Sequence, residues 1–146
     1  MDCPTDMILV LDESGSISST DFDLMKSFLS KLVGRLDIDS GNTRVGIVTY
    51  SHNIGATIHL NAHTSAASIQ SAISSLTYHA GNRTYTADAL RYVRTTMLTS
   101  AAGDRPNVPN VVVVLTDGQS HHKDATQVSI INFIASLLPH STMRYR

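Results

Sequence analysis

MILVLDESGSIS, residues 7–18, decides how the rest of the chain is read. Its first six residues are an almost unbroken apolar run, the pattern of a strand buried on both faces of a parallel sheet. The run ends in an acid, and two serines then flank a glycine. A second stretch, VVVVLTDG at 111–118, has the same design: an apolar strand running into an acid and a tight turn. Two such strands, far apart in sequence, are the frame of a doubly wound α/β sheet.

The segments between them supply the layers. Thr20 is placed to cap a helix, with Asp23 three residues on as the acid of a capping box. Phe22, Met25, Phe28, Leu29, Leu32, Val33 and Leu36 then recur at helical spacing, up to the DSGN turn at 39–42. RVGIVTYS (44–51) and GATIHL (55–60) read as two strands joined through Asn53 and Gly55, hence a hairpin with an antiparallel edge strand. Ser65 opens a helix running to about residue 77, with Ile69, Ala72, Ile73 and Leu76 on one face. GNRT (81–84) is a loop, and 86–98 is a further helix striped by Ala89, Leu90, Val93 and Met97. A surface turn at 103–110 precedes the second apolar strand. A last helix is expected from Asp124 to Leu138, stopped by Pro139. The expected order is β-α-β-β-α-α-β-α: a Rossmann-like, mostly parallel sheet with one antiparallel edge strand and helices on both faces.

Composition removes several classes of function. The chain has 146 residues, a single domain's worth, and is 42% hydrophobic and 16% charged. A net charge of −1, with 11 scattered Lys and Arg, gives no footprint for nucleic acid or anionic lipid. No apolar run approaches a membrane span, so no membrane insertion is expected. MILVL is too short for the core of a signal peptide, and a secretion signal for the parent protein is expected outside this sequence. The lone Cys3 is either a free thiol near the terminus or half of a pair whose partner lies outside the chain.

In open α/β sheets, ligands bind beyond the carboxyl ends of strands, where strand order reverses. If the two apolar strands are neighbours, Asp12 and Asp117 meet there. Asp12, Ser14 and Ser16 alternate along the first loop, so three oxygen-bearing side chains can turn toward one point, with Gly15 allowing a tight bend. Such hard oxygen ligands suit Mg²⁺ or Mn²⁺. A site with so little protein charge holds its ion loosely, with waters, and leaves it seeking one more carboxylate. Taken singly, each motif has a plainer reading, since Ser-rich turns cap helices and Asp is common at strand ends.

Together these residues resemble the von Willebrand factor type A domain, related to the integrin inserted domain. DESGS (12–16) is similar to that family's Asp-x-Ser-x-Ser motif. GNRTYTADALRYV (81–93) resembles its threonine-bearing loop and following helix, and VVVVLTDGQS (111–120) its second acidic strand end. The lead-in CPTDMILVLD and the stretch SSTDF also resemble matrilin, collagen VI and invertebrate matrix members. The resemblance implies a metal-ion-dependent adhesion site in which Asp12, Ser14, Ser16, Thr84 and Asp117 hold Mg²⁺ or Mn²⁺ directly or through water. Thr84 is the matching threonine by its offset from the helix, and Thr86 is then expected to cap that helix. An acidic side chain of the partner completes the coordination. The implied partner is an extracellular protein such as collagen or another matrix protein, and the implied role is adhesion or matrix assembly within a larger secreted protein. Glu13 and Gln119 flank the site and are expected to tune ligand choice.

The family continues past its second acidic loop through two further strand–helix units. The segment from Ser120 to Arg146 offers no such strand. The domain is therefore expected over 3–138, lacking those C-terminal units, with 139–146 as a tail and with a sheet edge left open. The cysteine that often pairs with the family's counterpart of Cys3 is missing with them.

Enzyme readings fit less well. A haloacid-dehalogenase-like phosphatase needs a second acid two residues after the first, where this chain has Ser14. No G-x-S-x-G elbow, phosphate-binding loop with a Lys, or G-x-G-x-x-G fingerprint is present, which leaves a metal-dependent hydrolase as the remaining enzymatic alternative. His121 and His122 beside Asp124 lack a third zinc ligand nearby and read as a solvated loop. A structural matrix module with a vestigial site is the other alternative. Asn82-Arg83-Thr84 is also an N-glycosylation sequon, either by chance or in use.

Overall fold

The computed structural model describes residues 3–117. Its elements are β1 (Thr5–Asp12), α1 (Ser19–Val33), β2 (Thr43–Tyr50), β3 (Ile54–Ile58), α2 (Ala66–Ser74), α3 (Thr86–Tyr92) and β4 (Asn110–Leu115). The expected 124–138 helix, the 139–146 tail, Gln119 and the His121–His122 pair lie outside the described residues.

The four strands form one sheet in the order β3-β2-β1-β4. β1 pairs in parallel with β2 from Thr5↔Thr43 to Asp12↔Tyr50, and in parallel with β4 from Asp6↔Asn110 to Leu11↔Leu115. β3 is antiparallel to β2, the expected edge hairpin. The crossover through α1 leaves β1 toward β2, whereas the path through α3 returns to β1's other side. β1 is thus the switch point, and its carboxyl end lies between two connections that diverge.

Strand alternation divides the core between two layers. Leu9 and Leu11, with Val45 and Ile47, pack under α1 and α2 against Phe22, Leu29, Val33, Ile69 and Ile73. Ile8 and Val10, with Val48 and Tyr50, pack on the other face against Leu60, Ala89, Val93 and Met97. Each such fully buried aliphatic side chain contributes about 1.5–3 kcal/mol. Lys26 ties the helices of the first layer together by donating to the carbonyls of Ser74 and Leu76 at the end of α2, at 3.0 and 2.9 Å.

At the amino end of the sheet, Asp6 is fully buried and held by Arg105. The guanidinium donates to Asp6 Oδ1 through Nε at 2.9 Å and Nη2 at 2.6 Å, and to the carbonyls of Thr5, Gly41 and Asn42. One cation therefore ties β1 to the turn before β2 and to the approach to β4.

Local details depart from the sequence pattern in identifiable ways. α1 is capped by Ser18, whose Oγ accepts from the Asp21 amide at 3.0 Å, and not by Thr20. Ile17 before the cap and Phe22 four residues after it are both buried in one cluster, a hydrophobic staple that selects Ser18 among three adjacent hydroxyl residues. Phe28 is 53% exposed, so the apolar stripe of α1 is wider than the face the sheet covers. The 86–98 helix is α-helical only to Tyr92 and then widens into a π turn, Val93–Met97. There the Thr95 hydroxyl takes the Arg91 carbonyl at 2.8 Å, competing with the regular ladder.

Candidate metal centre

β1 ends in a loop that is built into the sheet. The Glu13 amide donates to the Tyr50 carbonyl at 2.8 Å, continuing the β1–β2 ladder by one step. Beyond it, Ser14 forms a parallel bridge with Gly81. The Gly81 amide donates to the Glu13 carbonyl, and the Gly15 amide donates to the Gly81 carbonyl. The 81–84 loop is therefore laid along the 13–15 loop. This approach needs the bare backbone: a Cβ on Gly81 would overlap the Ser51 side chain, and one on Gly15 would sit 3.3 Å from the Gly81 carbonyl oxygen. Gly15 has no positive φ, so close approach accounts for it and a special turn conformation does not.

Tyr78 fixes the serine loop from below. Its ring packs on Phe22 with centroids 5.4 Å apart, and its hydroxyl donates to the carbonyls of Ser14 and Ile17.

Asp12 is fully buried at the centre of this arrangement. Its Oδ1 accepts from the Ser14 amide at 2.8 Å, and its Oδ2 accepts from the Thr116 hydroxyl at 2.8 Å. The second bond ties the end of β1 to the segment after β4, immediately before Asp117. Ser14 Oγ and Ser16 Oγ lie 3.0 Å apart, so the two serines do turn to one point. Thr84 is buried on the loop that Gly81 anchors, and Tyr85 next to it donates its amide to the Ser51 carbonyl at 2.9 Å. The structure thus brings Asp12, Ser14 and Ser16 together. It sets Thr84 and Asp117 on the two segments bound to them.

Two expectations are corrected here. Thr86 does not cap α3; Tyr85 holds the cap position without a side-chain bond, and the Thr86 hydroxyl pairs instead with Tyr50 Oη at 3.1 Å. Glu13 does not face a ligand, being 3% exposed, with its carboxylate on His79 Nδ1 at 3.0 Å and near the Thr49 hydroxyl at 3.4 Å. Alternation carries the signal: if Asp12 and Ser14 face the site, the residue between them faces away.

Tyr50 is a buried neighbour of Asp12 that sequence reading missed. Burial pushes its phenol above the ordinary value of 10.0, and the Asp12 and Asp117 carboxylates push the same way, partly offset by hydrogen bonds with Thr86 and Thr116. Both acids thus raise the same phenol. Its position as the last residue of β2, beside Asp12, is the sequence signal that could have found it.

Three carboxylates on or just past β1 are buried. Asp6 has Arg105 and Glu13 has His79. Among the described residues Asp12 forms no ion pair, and its hydrogen-bond partners are the Ser14 amide and the Thr116 hydroxyl. A buried charge without a counter-charge is costly, and the oxygen donors around this one are hard. The residues fit a hard divalent cation. Among the described residues no group of three or more His, Cys, Asp and Glu side chains is poised to hold a metal; the candidate donors are two carboxylates, Asp12 and Asp117, and three hydroxyls, Ser14, Ser16 and Thr84.

The von Willebrand factor type A domain family model matches residues 6–132. The chain belongs to that family. It is 39% identical to integrin alpha-2 of Bos taurus over 121 residues, covering 82% of this chain and 10% of that protein. It is 35% identical to matrilin-1 of Bos taurus over 119 residues, covering 80% of this chain and 22% of the other. Collagen alpha-4(VI) chain of Mus musculus is 36% identical over 119 residues, with 80% and 5% covered. The type A domain described here thus spans less than a quarter of the length of each of these relatives. Proximal thread matrix protein 1 from the mussel byssus has a similar structure, with a TM-score of 0.86 at 25% identity, covering 93% of this chain and 36% of that one. Another structure of that mussel protein, at a TM-score of 0.85, has a zinc-occupied MIDAS motif.

Proposed function

We propose that this type A domain is an extracellular, non-enzymatic adhesion or matrix-assembly module, and that Asp12, Ser14, Ser16, Thr84 and Asp117 hold Mg²⁺ or Mn²⁺ directly or through water. The observation that carries this reading is Asp12: a fully buried carboxylate that receives only neutral donors among the described residues, next to two converging serine hydroxyls. Bound there, the ion supplies a Lewis-acidic position for a carboxylate of a protein partner such as collagen or another matrix protein. The chain's own part is to fix the oxygens. The Ser14 amide and Thr116 hydroxyl orient Asp12, Tyr78 holds the serine loop, and the Gly15–Gly81 contact positions the threonine loop. Similarity to integrin alpha-2, matrilin-1 and a collagen VI chain supports the adhesive or matrix role.

The test is thermal melting in chelator and then in excess Mg²⁺, Mn²⁺ or Zn²⁺, the last because the mussel relative's motif holds zinc. An ion at a hundred times its dissociation constant, bound only by the folded state, adds about 2.7 kcal/mol. The wild-type transition is expected to rise, and that of Asp117→Ala to stay where it was. A cooperative wild-type transition indifferent to all three ions would overturn the metal reading in favour of a structural module.

A further inference from the structure

We propose that Asn82 is an N-glycan acceptor at the rim of the metal face, and that its sugar is added before the 81–84 loop folds. The inference rests on the extracellular reading above. Asn82-Arg83-Thr84 is the only N-x-Ser/Thr tripeptide in the sequence, and its middle residue is not proline. Asn82 is exposed on the loop before α3, and among the described residues its side chain has no hydrogen-bond partner. Its amide nitrogen therefore faces water. The residue before it, Gly81, pairs with Ser14, so a sugar on Asn82 starts one residue from the serine loop.

The third residue of the tripeptide sets the timing. A transferring enzyme reads the Thr84 hydroxyl together with the asparagine, but in the fold Thr84 is only 1% exposed. The loop is also pinned on both sides, by the bonds of Gly81 to Glu13 and Gly15 and by the Tyr85 amide on Ser51. Asn82 is accessible in the folded protein, whereas its recognition element is not. The hydroxyl is therefore used twice in succession, first by the transferase on the unfolded segment and then within the metal face. In the first step Asn82 Nδ2 attacks the anomeric carbon of a lipid-linked oligosaccharide. The nitrogen–carbon bond forms, the carbon–oxygen bond to the lipid pyrophosphate breaks, the pyrophosphate leaves with that electron pair, and the amide proton passes to a base of the transferase.

The experiment secretes the full chain from a eukaryotic cell behind a cleavable signal and measures intact mass before and after denaturing peptide-N-glycosidase treatment. The expected result is a glycan-sized increment removed by the glycosidase, with residue 82 then read as Asp, and no increment in Asn82→Gln. Timing is read by giving a purified transferase and lipid-linked donor either the folded, unglycosylated chain or a peptide spanning residues 78–90. The peptide is expected to be modified and the folded chain left intact. A secreted wild-type protein without sugar overturns the site, and a folded chain modified as fast as the peptide overturns the timing. Melting of the deglycosylated protein with and without Mg²⁺ separates this inference from the metal reading. A metal shift without any sugar sinks only the glycan, and a sugar without any metal shift sinks only the adhesion site.

Discussion

Asp12→Asn isolates the charge on which the site depends, because the substitution keeps nearly the same shape. Asparagine can retain Oδ1 as the acceptor for the Ser14 amide, and its Nδ2 can donate to Thr116 Oγ1 once that hydroxyl reverses its role. What changes is the charge in a fully buried position. An unpaired buried carboxylate carries an effective desolvation penalty of roughly 4 kcal/mol. Converting two charge-assisted hydrogen bonds to neutral ones returns about 2 kcal/mol of that. In chelator the variant is therefore expected to be more stable than wild type by roughly 2 kcal/mol, about 6 °C in melting temperature for a domain of this size. In Mg²⁺ at a hundred times the dissociation constant, wild type gains about 2.7 kcal/mol, or roughly 8 °C, and the variant gains nothing. The two melting curves should exchange order between chelator and metal. Differential scanning calorimetry of both proteins in both buffers reads this directly. A variant melting several degrees below wild type in chelator would mean that the fold already compensates the Asp12 charge, and the argument for a cation would collapse. An equal metal shift in both proteins would remove Asp12 from the ligand set.

Arg105→Ala is expected to cost about 3–5 kcal/mol in urea denaturation, because it leaves the fully buried Asp6 without its cation. Asp6→Asn combined with Arg105→Met should recover much of that loss, and a single-variant cost below about 1 kcal/mol would contradict the buried pairing. Tyr50 sets an alkaline limit. Its phenol keeps its proton to higher pH in the fold than in the unfolded chain, so above the ordinary value of 10.0 the native state binds more protons and stability falls as pH rises. Urea midpoints followed upward from pH 9 should decline more steeply for wild type than for Tyr50→Phe, and parallel profiles would show that the burial of this hydroxyl is not felt.

The frame was legible in the sequence because burial on both faces leaves a plain mark. MILVLD is the central β1, with Ile8 to Leu11 fully buried, whereas VVVVL forms β4 beside it at the edge of the described sheet, with Val111 and Val114 exposed. Less legible was anything decided by direction as opposed to residue type. Ser18, Ser19 and Thr20 are all good caps, and only the packing of Ile17 with Phe22 chooses among them. Phe28 continues the helical spacing of Leu29 and Leu32, yet it points past the covered face because the periodicity marks a stripe and not its edges.

The same distinction accounts for the site. The order Asp-x-Ser-x-Ser marks which residues carry oxygens, and strand alternation can say which of them share a side. It cannot say what they meet. Glu13 meets a histidine 66 residues away in sequence, and Asp12 is bound by a threonine 104 residues away. Tyr50 enters the site through pairing of β1 with β2 and not through any motif. The decisive contrast is between three buried acids at the two ends of one strand: Asp6 at its start paired with arginine, Glu13 just past its end with histidine, and Asp12 at its end with neutral donors among the described residues. Those partners come from segments that the topology brings together. Sequence can propose that Asp12 binds a metal, but that its partners among the described residues are neutral is a property of the assembled sheet.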